Sequence, residues 1–217
     1  MEKWEEDVMQ GDKNVFDESY ENYLSQLRKL SLVSIAPKIG AEFADNRLRI
    51  SLFDRTFKVS STGIAGPDGR RPSYDVCVIL SKYLLLAPEV QVPGETWVSF
   101  KDFKDSRPLH NYFANDVEQA AATHFSCRID ALQVACAALG GYAPDLQVSY
   151  DLAIQFNALP MIPVVMLFND ADDEFSATCS LLFPARTEAY LDAECIAMLG
   201  TLLFRRLKRT AVQTKGV

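Results

Sequence analysis

The stretch Val148–Phe183, VSYDLAIQFNALPMIPVVMLFNDADDEFSATCSLLF, holds three apolar β-like runs, a bend marked by two prolines, and one acidic turn. Val148, Tyr150, Leu152, Ile154 and Phe156 alternate with Ser149, Asp151, Ala153 and Gln155, the period of a strand with one wetter face. Pro160 and Pro163 cannot donate to a ladder, so they belong at strand ends and set the bend. Val164-Val165-Met166-Leu167-Phe168 is apolar on both faces and predicts a central, covered strand. After the turn Asn169-Asp170-Ala171-Asp172-Asp173-Glu174, the run from Thr178 to Phe183 returns antiparallel and stops at Pro184.

The rest of the chain reads as cover for this sheet. A helix is predicted from Phe16 or Asp17, with Tyr20, Leu24, Leu27 and Leu30 three or four apart, and a second piece runs from Leu32 to Ile39 before Gly40. Period two returns at Arg47–Leu52 and Phe57–Ser60, joined tightly through Phe53 and Asp54, which predicts a hairpin or short meander. Ser73 is placed to cap a helix carrying Val76, Cys77, Leu80, Tyr83 and Leu84. Trp97 and Phe100 are expected to anchor a loop into the core. Residues 108–124 are again helical, Asp130 is placed to cap Ala131–Leu139, and Gly140 takes the turn after that helix. The clearest helix, 192–208, has Asp192 as its N-cap and a buried stripe of Ile196, Leu199, Leu202, Leu203 and Leu207. Arg205, Arg206, Lys208 and Arg209 read as solvated cations at its negative end. The expected architecture is α+β, an antiparallel sheet with strands near 47–60 and 148–183 covered by helices. Residues 1–14 read as a flexible acidic arm, 15–210 as one domain, and 211–217 as a flexible tail.

Composition narrows the function classes. A net charge of -7 opposes general attraction to nucleic-acid phosphates. No run of 18 apolar residues occurs, and the acidic start Met1–Asp7 lacks the apolar core of a secretory signal. Five cysteines, odd in number and without C-x-x-C spacing, argue against a disulfide framework or a local zinc motif. These features predict a reduced, cytoplasmic protein with no membrane or nucleic-acid partner.

Motifs for chemistry are few. Neither G-x-x-x-x-G-K-[ST], G-x-G-x-x-G nor G-x-S-x-G is present. His110 and His124 are the two histidines, and 14 residues of helix would set them about 21 Å apart. Asp170, Asp172, Asp173 and Glu174 put four carboxylates within five residues, a candidate site for a hard cation, although an EF-hand loop would need Gly and Glu where Phe175 and Leu181 stand. The alternative is a solvated hairpin tip whose charges protect the strands. Cys127 beside Arg128 and near His124 is the thiol with a plausible activating neighbourhood, and Cys77 reads as a small buried residue. A site is expected where the proline-marked bend meets Trp97 and the helix holding His110. The candidate binding residues are His110, Trp97, Tyr112, Cys127 and Arg128, and none is assigned a catalytic role.

One ordered set of short motifs is distinctive: Trp97-Val98-Ser99-Phe100, Gly140-Gly141, Leu159-Pro160, Pro163-Val164, Asp172-Asp173-Glu174-Phe175, Leu181-Leu182-Phe183, Tyr190-Leu191 and Leu199-Gly200. From about residue 20 to 208 the chain resembles a domain family of unknown function found mainly in anaerobic bacteria and archaea. Some members of that family look fused to a four-cysteine iron–sulfur domain of the type seen in corrinoid proteins of one-carbon metabolism. This chain lacks that domain and the D-x-H-x-x-G cobalamin motif. The lack of any recognisable catalytic constellation predicts a non-catalytic accessory domain that binds a protein partner or a small cofactor, with corrinoid or haem as the candidates, and the resemblance associates it with anaerobic redox or corrinoid-linked metabolism. Two other readings stand beside it. One is an enzyme with a site on the sheet drawn from Asp173, Glu174, His110, Cys127 and Arg128; the other is a homodimer joined through edge strands.

Overall fold

Two four-stranded antiparallel sheets carry the fold, where the alternation of the sequence predicted one. The computed structural model of the chain describes residues 2–94 and 96–213. Helix α1 (Glu2–Leu27) starts well before Phe16 and takes in the residues expected to form an arm; α2 (Leu32–Ile35) continues as a 3-10 turn to Ile39, and Gly40 follows at φ 65°. Strands β1 (Glu42–Ala44), β2 (Arg47–Leu52), β3 (Arg55–Ser60) and β4 (Gly63–Ala65) then form a meander. Its loops are short enough to fix the register. Asp45 and Asn46 both take positive φ between β1 and β2, as a two-residue hairpin turn of the I′ kind demands.

Helix α3 (Tyr74–Leu85) follows a turn, and β5 (Trp97–Ser99) is an edge strand where a loop anchor was expected. Helix α4 spans 110–125 as an α turn His110–Tyr112, a π segment Phe113–Gln119 and a further α stretch Ala120–Phe125. Helix α5 (Ile129–Ala138) has Arg128, not Asp130, at its N-cap position; Asp130 lies in the first turn, and Gly140 takes φ 75° after the helix as expected. Strands β6 (Leu152–Leu159), β7 (Ile162–Asn169) and β8 (Thr178–Pro184) complete the second sheet in the order β5-β8-β7-β6. Helix α6 (Ala193–Gln213) closes the chain. It passes through residue 211, where a tail was expected; Met1 and residues 214–217 lie outside the described residues.

The opening stretch behaves largely as its pattern predicts. Val164–Phe168 of β7 is buried on both faces between β6 and β8, and Pro160 sits in the tight turn before it. The first strand starts late, at Leu152: the Asp151 N–H is taken by the side chain of Asn169, through Oδ1, while Asp151 Oδ2 accepts the Asp170 N–H beyond β7. Beyond the short β5, the edge of β8 is finished by a side chain. Glu118 Oε1 accepts the Leu181 N–H at 2.9 Å, a carboxylate standing in for one more strand residue.

The sheets meet at the β2–β3 turn, where Phe53 N–H donates to Ala158 O and the Phe53 ring packs edge-on against Phe156. Helix α6 fills the angle between them. Asp192 Oδ1 caps the Cys195 N–H at 3.0 Å, and Ile196, Leu199, Leu202, Leu203 and Leu207 are buried. Tyr83 of α3 ties the bend down: its hydroxyl donates to Ile39 O and accepts the Met161 N–H. Buried side chains of both sheets and of the helices form one continuous core. No helix among the described residues is long and apolar enough to cross a membrane.

Candidate functional site

The residues nominated from the sequence do not converge. His110 Nε2 is 2.8 Å from Ser106 Oγ, and the Tyr112 hydroxyl lies 2.8 Å from Thr201 Oγ1 on α6. Trp97 is a half-buried member of β5. Arg128 donates to His124 O across the turn after α4. The proline-marked bend contacts Tyr83, Gly40 and Arg186, so its neighbours are α3 and the end of the α2 turn. One juxtaposition does occur: the exposed Cys127, at φ 56°, donates its N–H to Asp170 Oδ1 at 2.6 Å.

That bond changes the meaning of the acidic turn. Asp170 fastens the turn to the α4–α5 connection, and Asp172 Oδ1 accepts the N–H groups of Glu174 and Phe175 at 2.8 and 2.7 Å. Those two amides hold the Asp172 carboxyl below the usual range. Asp173 and Glu174 point into solvent at the tip. Among the described residues no three His, Cys, Asp or Glu side chains stand close enough to hold a metal ion. Four of the five thiols are equally withdrawn, Cys77, Cys136, Cys179 and Cys195 being buried and Cys127 exposed. Burial pushes Cys77 up to about 11 and Cys136 up to about 12, which keeps both as protonated thiols and poor nucleophiles near neutrality.

The concave surface lies elsewhere. A groove of about 1050 Å³ opens between β3, the turn Gly66–Asp68, the start of α3, and the second half of α6. Phe57, Val76 and Leu202 give it an apolar floor. Around that floor stand Arg55, Lys58, Arg71, Arg205, Arg206 and Arg209, against two carboxylates, Asp54 and Asp68. Both carboxylates are already engaged. Asp54 Oδ1 is 2.7 Å from Arg206 Nη1, and Asp68 Oδ1 accepts the Arg70 N–H.

Each cation has a different hold. Arg206 is buried, donates to Leu52 O at 3.0 Å and Asp54, and lies over the Phe53 ring. Burial pulls its pKa down, and Asp54 pulls it back up. Arg205 pairs with Asp75 in the first turn of α3. Arg71 Nη1 sits 2.7 Å from Asp17, with its guanidinium 5.0 Å above the Tyr20 ring. Lys58 and Arg209 are exposed and have no carboxylate within ion-pair distance among the described residues. Desolvated or pre-paired guanidinium groups hold the frame, and these two are left facing the groove.

Arg205, Arg206 and Arg209 of the basic run, expected as solvated helix-end charge, therefore wall this groove, because α6 continues to Gln213 and leaves the run in its interior, whereas Lys208 lies on another side of the helix beside Asn115 and Thr123. A signal was present. Arg206 stands three and four residues from Leu203 and Leu202, on the same stripe as the buried leucines, a position that a solvated charge does not take.

A model of a domain of unknown function, DUF3786, matches residues 31–206. The chain belongs to the DUF3786 family. The matched span begins after α1 and holds every residue that lines the groove except Arg209. No curated protein and no solved structure matches the chain. The functional reading of this DUF3786 domain therefore rests on its own geometry.

Proposed function

We propose that this DUF3786 chain is a non-catalytic binding domain that holds a small anionic molecule in the groove between β3 and α6. One observation carries the proposal: five arginines and one lysine line a single groove in a chain whose net charge is -7. Clustering cations costs local self-repulsion, and Arg55 and Arg209 both work against the charge of Arg206. An anionic ligand would relieve that repulsion. The volume suits a small molecule, for which pockets of about 300–1000 Å³ are usual.

The accessory role expected from the sequence fits this reading, with the ligand moved from the neighbourhood of His110 and Cys127 to the groove. The lining includes no histidine, cysteine or methionine, so a corrinoid or haem placed there would find no axial ligand of the usual kind and would be held through its acidic groups alone. An enzyme built from Asp173, Glu174, His110, Cys127 and Arg128 would need those groups within hydrogen-bond reach of one another, and their dispersal counts against it.

The test is thermal unfolding in millimolar pyrophosphate against sodium chloride of equal ionic strength. Binding to the folded state alone raises the midpoint as the ligand concentration passes its Kd. The wild-type chain gains several degrees in pyrophosphate, and the Lys58→Ala, Arg209→Ala double variant gains no more than it does in salt. Equal midpoints for the wild type in both media would end the proposal.

A further inference from the structure

Arg206 is the buried cation of the groove, and its bonding is one-sided. Both of its hydrogen bonds, to Leu52 O at 3.0 Å and to Asp54 Oδ1 at 2.7 Å, leave from Nη1. Nε and Nη2, whose hydrogens point the same way along another edge of the planar guanidinium, have no acceptor among the described residues. A buried cation with donors unmet is costly. Arg206 stands in the lining of the groove, so oxygens that meet this edge come from a ligand there.

Neighbouring cations gather on the same point. Asp54 holds Arg206 through Oδ1 and Arg55 through Oδ2, at 2.7 and 3.8 Å, which ties the start of β3 to α6. Arg209, three residues on from Arg206 and four from Arg205, lies on their side of the helix. Lys58 stands apart: between the buried Phe57 and Val59, it belongs to the other face of β3, where its cross-strand partner is Arg49. The charges around Arg206 do not balance. Arg205 and Arg71 each have their own carboxylate, Asp75 and Asp17. Arg55, Arg206 and Arg209 have Asp54 alone between them, which leaves two positive charges unmatched at one point.

We infer that the free edge of Arg206 is the anion subsite of the groove and takes one terminal phosphate as its dianion, with Arg209 and Arg55 supplying the rest of the positive charge. This rests on the groove being the binding site, and it deepens that reading from an anion to a phosphate monoester or free phosphate. A carboxylate fits a guanidinium fork but brings one charge, and a phosphodiester has the tetrahedral shape but also brings one. A terminal phosphate brings two charges and a third oxygen for a neighbouring arginine.

Calorimetric titration of the full chain near pH 8, where a phosphate monoester carries about two charges, compares methyl phosphate, dimethyl phosphate, acetate and inorganic phosphate. Methyl phosphate binds at least about tenfold more tightly than dimethyl phosphate or acetate. Inorganic phosphate matching it supports the subsite and admits the free ion, whereas weaker inorganic phosphate supports the subsite and assigns the ligand as an ester. Arg209→Ala, at an exposed position, removes the advantage of methyl phosphate over dimethyl phosphate. Lys58→Ala, which takes the same charge from the other face of β3, changes methyl phosphate binding by less than about twofold. Arg206 holds Asp54 and Leu52 in place, so it is read in the wild type: its Nε–H resonance, by proton–nitrogen NMR, shifts as methyl phosphate is added. Equal affinity for methyl and dimethyl phosphate, equal losses in the two variants, or an unmoved Arg206 resonance overturns the subsite. So does silence of methyl phosphate while pyrophosphate still raises the unfolding midpoint, an outcome that leaves the anionic groove standing. Failure of both probes overturns both.

Discussion

A single carboxylate shows how much a fold depends on one side chain at a strand edge. Glu118 is set by the π segment of α4 so that it accepts the Leu181 N–H where β5 has run out. Burial raises its pKa above the usual carboxylate value, against the smaller pull of that N–H and of Lys101. A carboxyl that holds its proton more tightly when folded stabilises the fold below its unfolded pKa, near 4.3, and loses that contribution as pH rises through the folded value. Glu118→Gln keeps an acceptor oxygen without the charge. Its stability relative to wild type should therefore improve between pH 4 and pH 7 in urea denaturation, whereas Glu118→Ala, which orphans the amide, is destabilised at both pH values. A Gln variant whose difference from wild type is flat with pH would show that burial does not raise this group. The cysteines make a second point at this scale. Cys77, Cys136, Cys179 and Cys195 are buried and Cys127 is exposed, so iodoacetamide should modify one thiol rapidly under native conditions. Peptide mass spectrometry should find it at Cys127, and rapid labelling at any second site would contradict the packing.

Between elements, the joint of the molecule is the β2–β3 hairpin. Leu52 pairs with Arg55, leaving Phe53 and Asp54 as a two-residue loop, and Phe53 takes φ 55° in the place where such turns usually carry glycine. The aromatic ring makes two contacts, packing on Phe156 and lying beneath Arg206, while the backbone N–H of the same residue donates to Ala158 O. Phe53→Ala keeps the unfavourable φ and loses the ring, at a cost of about 3–5 kcal/mol. Phe53→Gly loses the same ring but relaxes the backbone, and should be less destabilised by about 1 kcal/mol, an order that chemical denaturation midpoints can read. Glycine falling below alanine would mean the backbone there is unstrained. This joint also marks the limit of what periodicity could say. The alternation at 47–60, the two-faced apolar run Val164–Phe168 and the stripe from Ile196 to Leu207 are local patterns, and each became the element predicted. Whether two strand groups form one sheet or two depends on which edges meet, and no local period encodes that. The groove was illegible for the same reason. Its walls come from residues 54–58, 66–76 and 202–209, and in each segment alone the charges read as an ordinary solvated face. Arg206, in register with the leucines, was the exception.

At the scale of the whole molecule, α1 lies outside the span matched by the DUF3786 model yet is fastened to the groove. Tyr20, Leu24 and Leu27 bury its inner face, and the Tyr20 hydroxyl accepts the Ile64 N–H at 2.9 Å. Arg71 is shared: it lines the groove on one side and, on the other, a cavity of about 330 Å³ beside Phe16, Asp17 and Tyr20. Asp17 thus supplies an anion from within the chain to a guanidinium that also faces the binding site. An anionic ligand and Asp17 compete for Arg71, and a competition of this kind is reciprocal: whatever Asp17 takes from ligand affinity, the ligand takes from the docking of α1. Both partners are half exposed, so the pair itself is worth at most about 1 kcal/mol to stability. Asp17→Asn should therefore unfold at nearly the wild-type midpoint while binding pyrophosphate several-fold more tightly. In wild type, saturation with the same probe should speed hydrogen exchange at the amides of residues 16–27, and in Asp17→Asn that acceleration should disappear, because the link has already been cut. Unchanged affinity in Asp17→Asn, together with an α1 exchange rate indifferent to the probe, would reduce the Arg71–Asp17 pair to a surface ion pair with no part in binding.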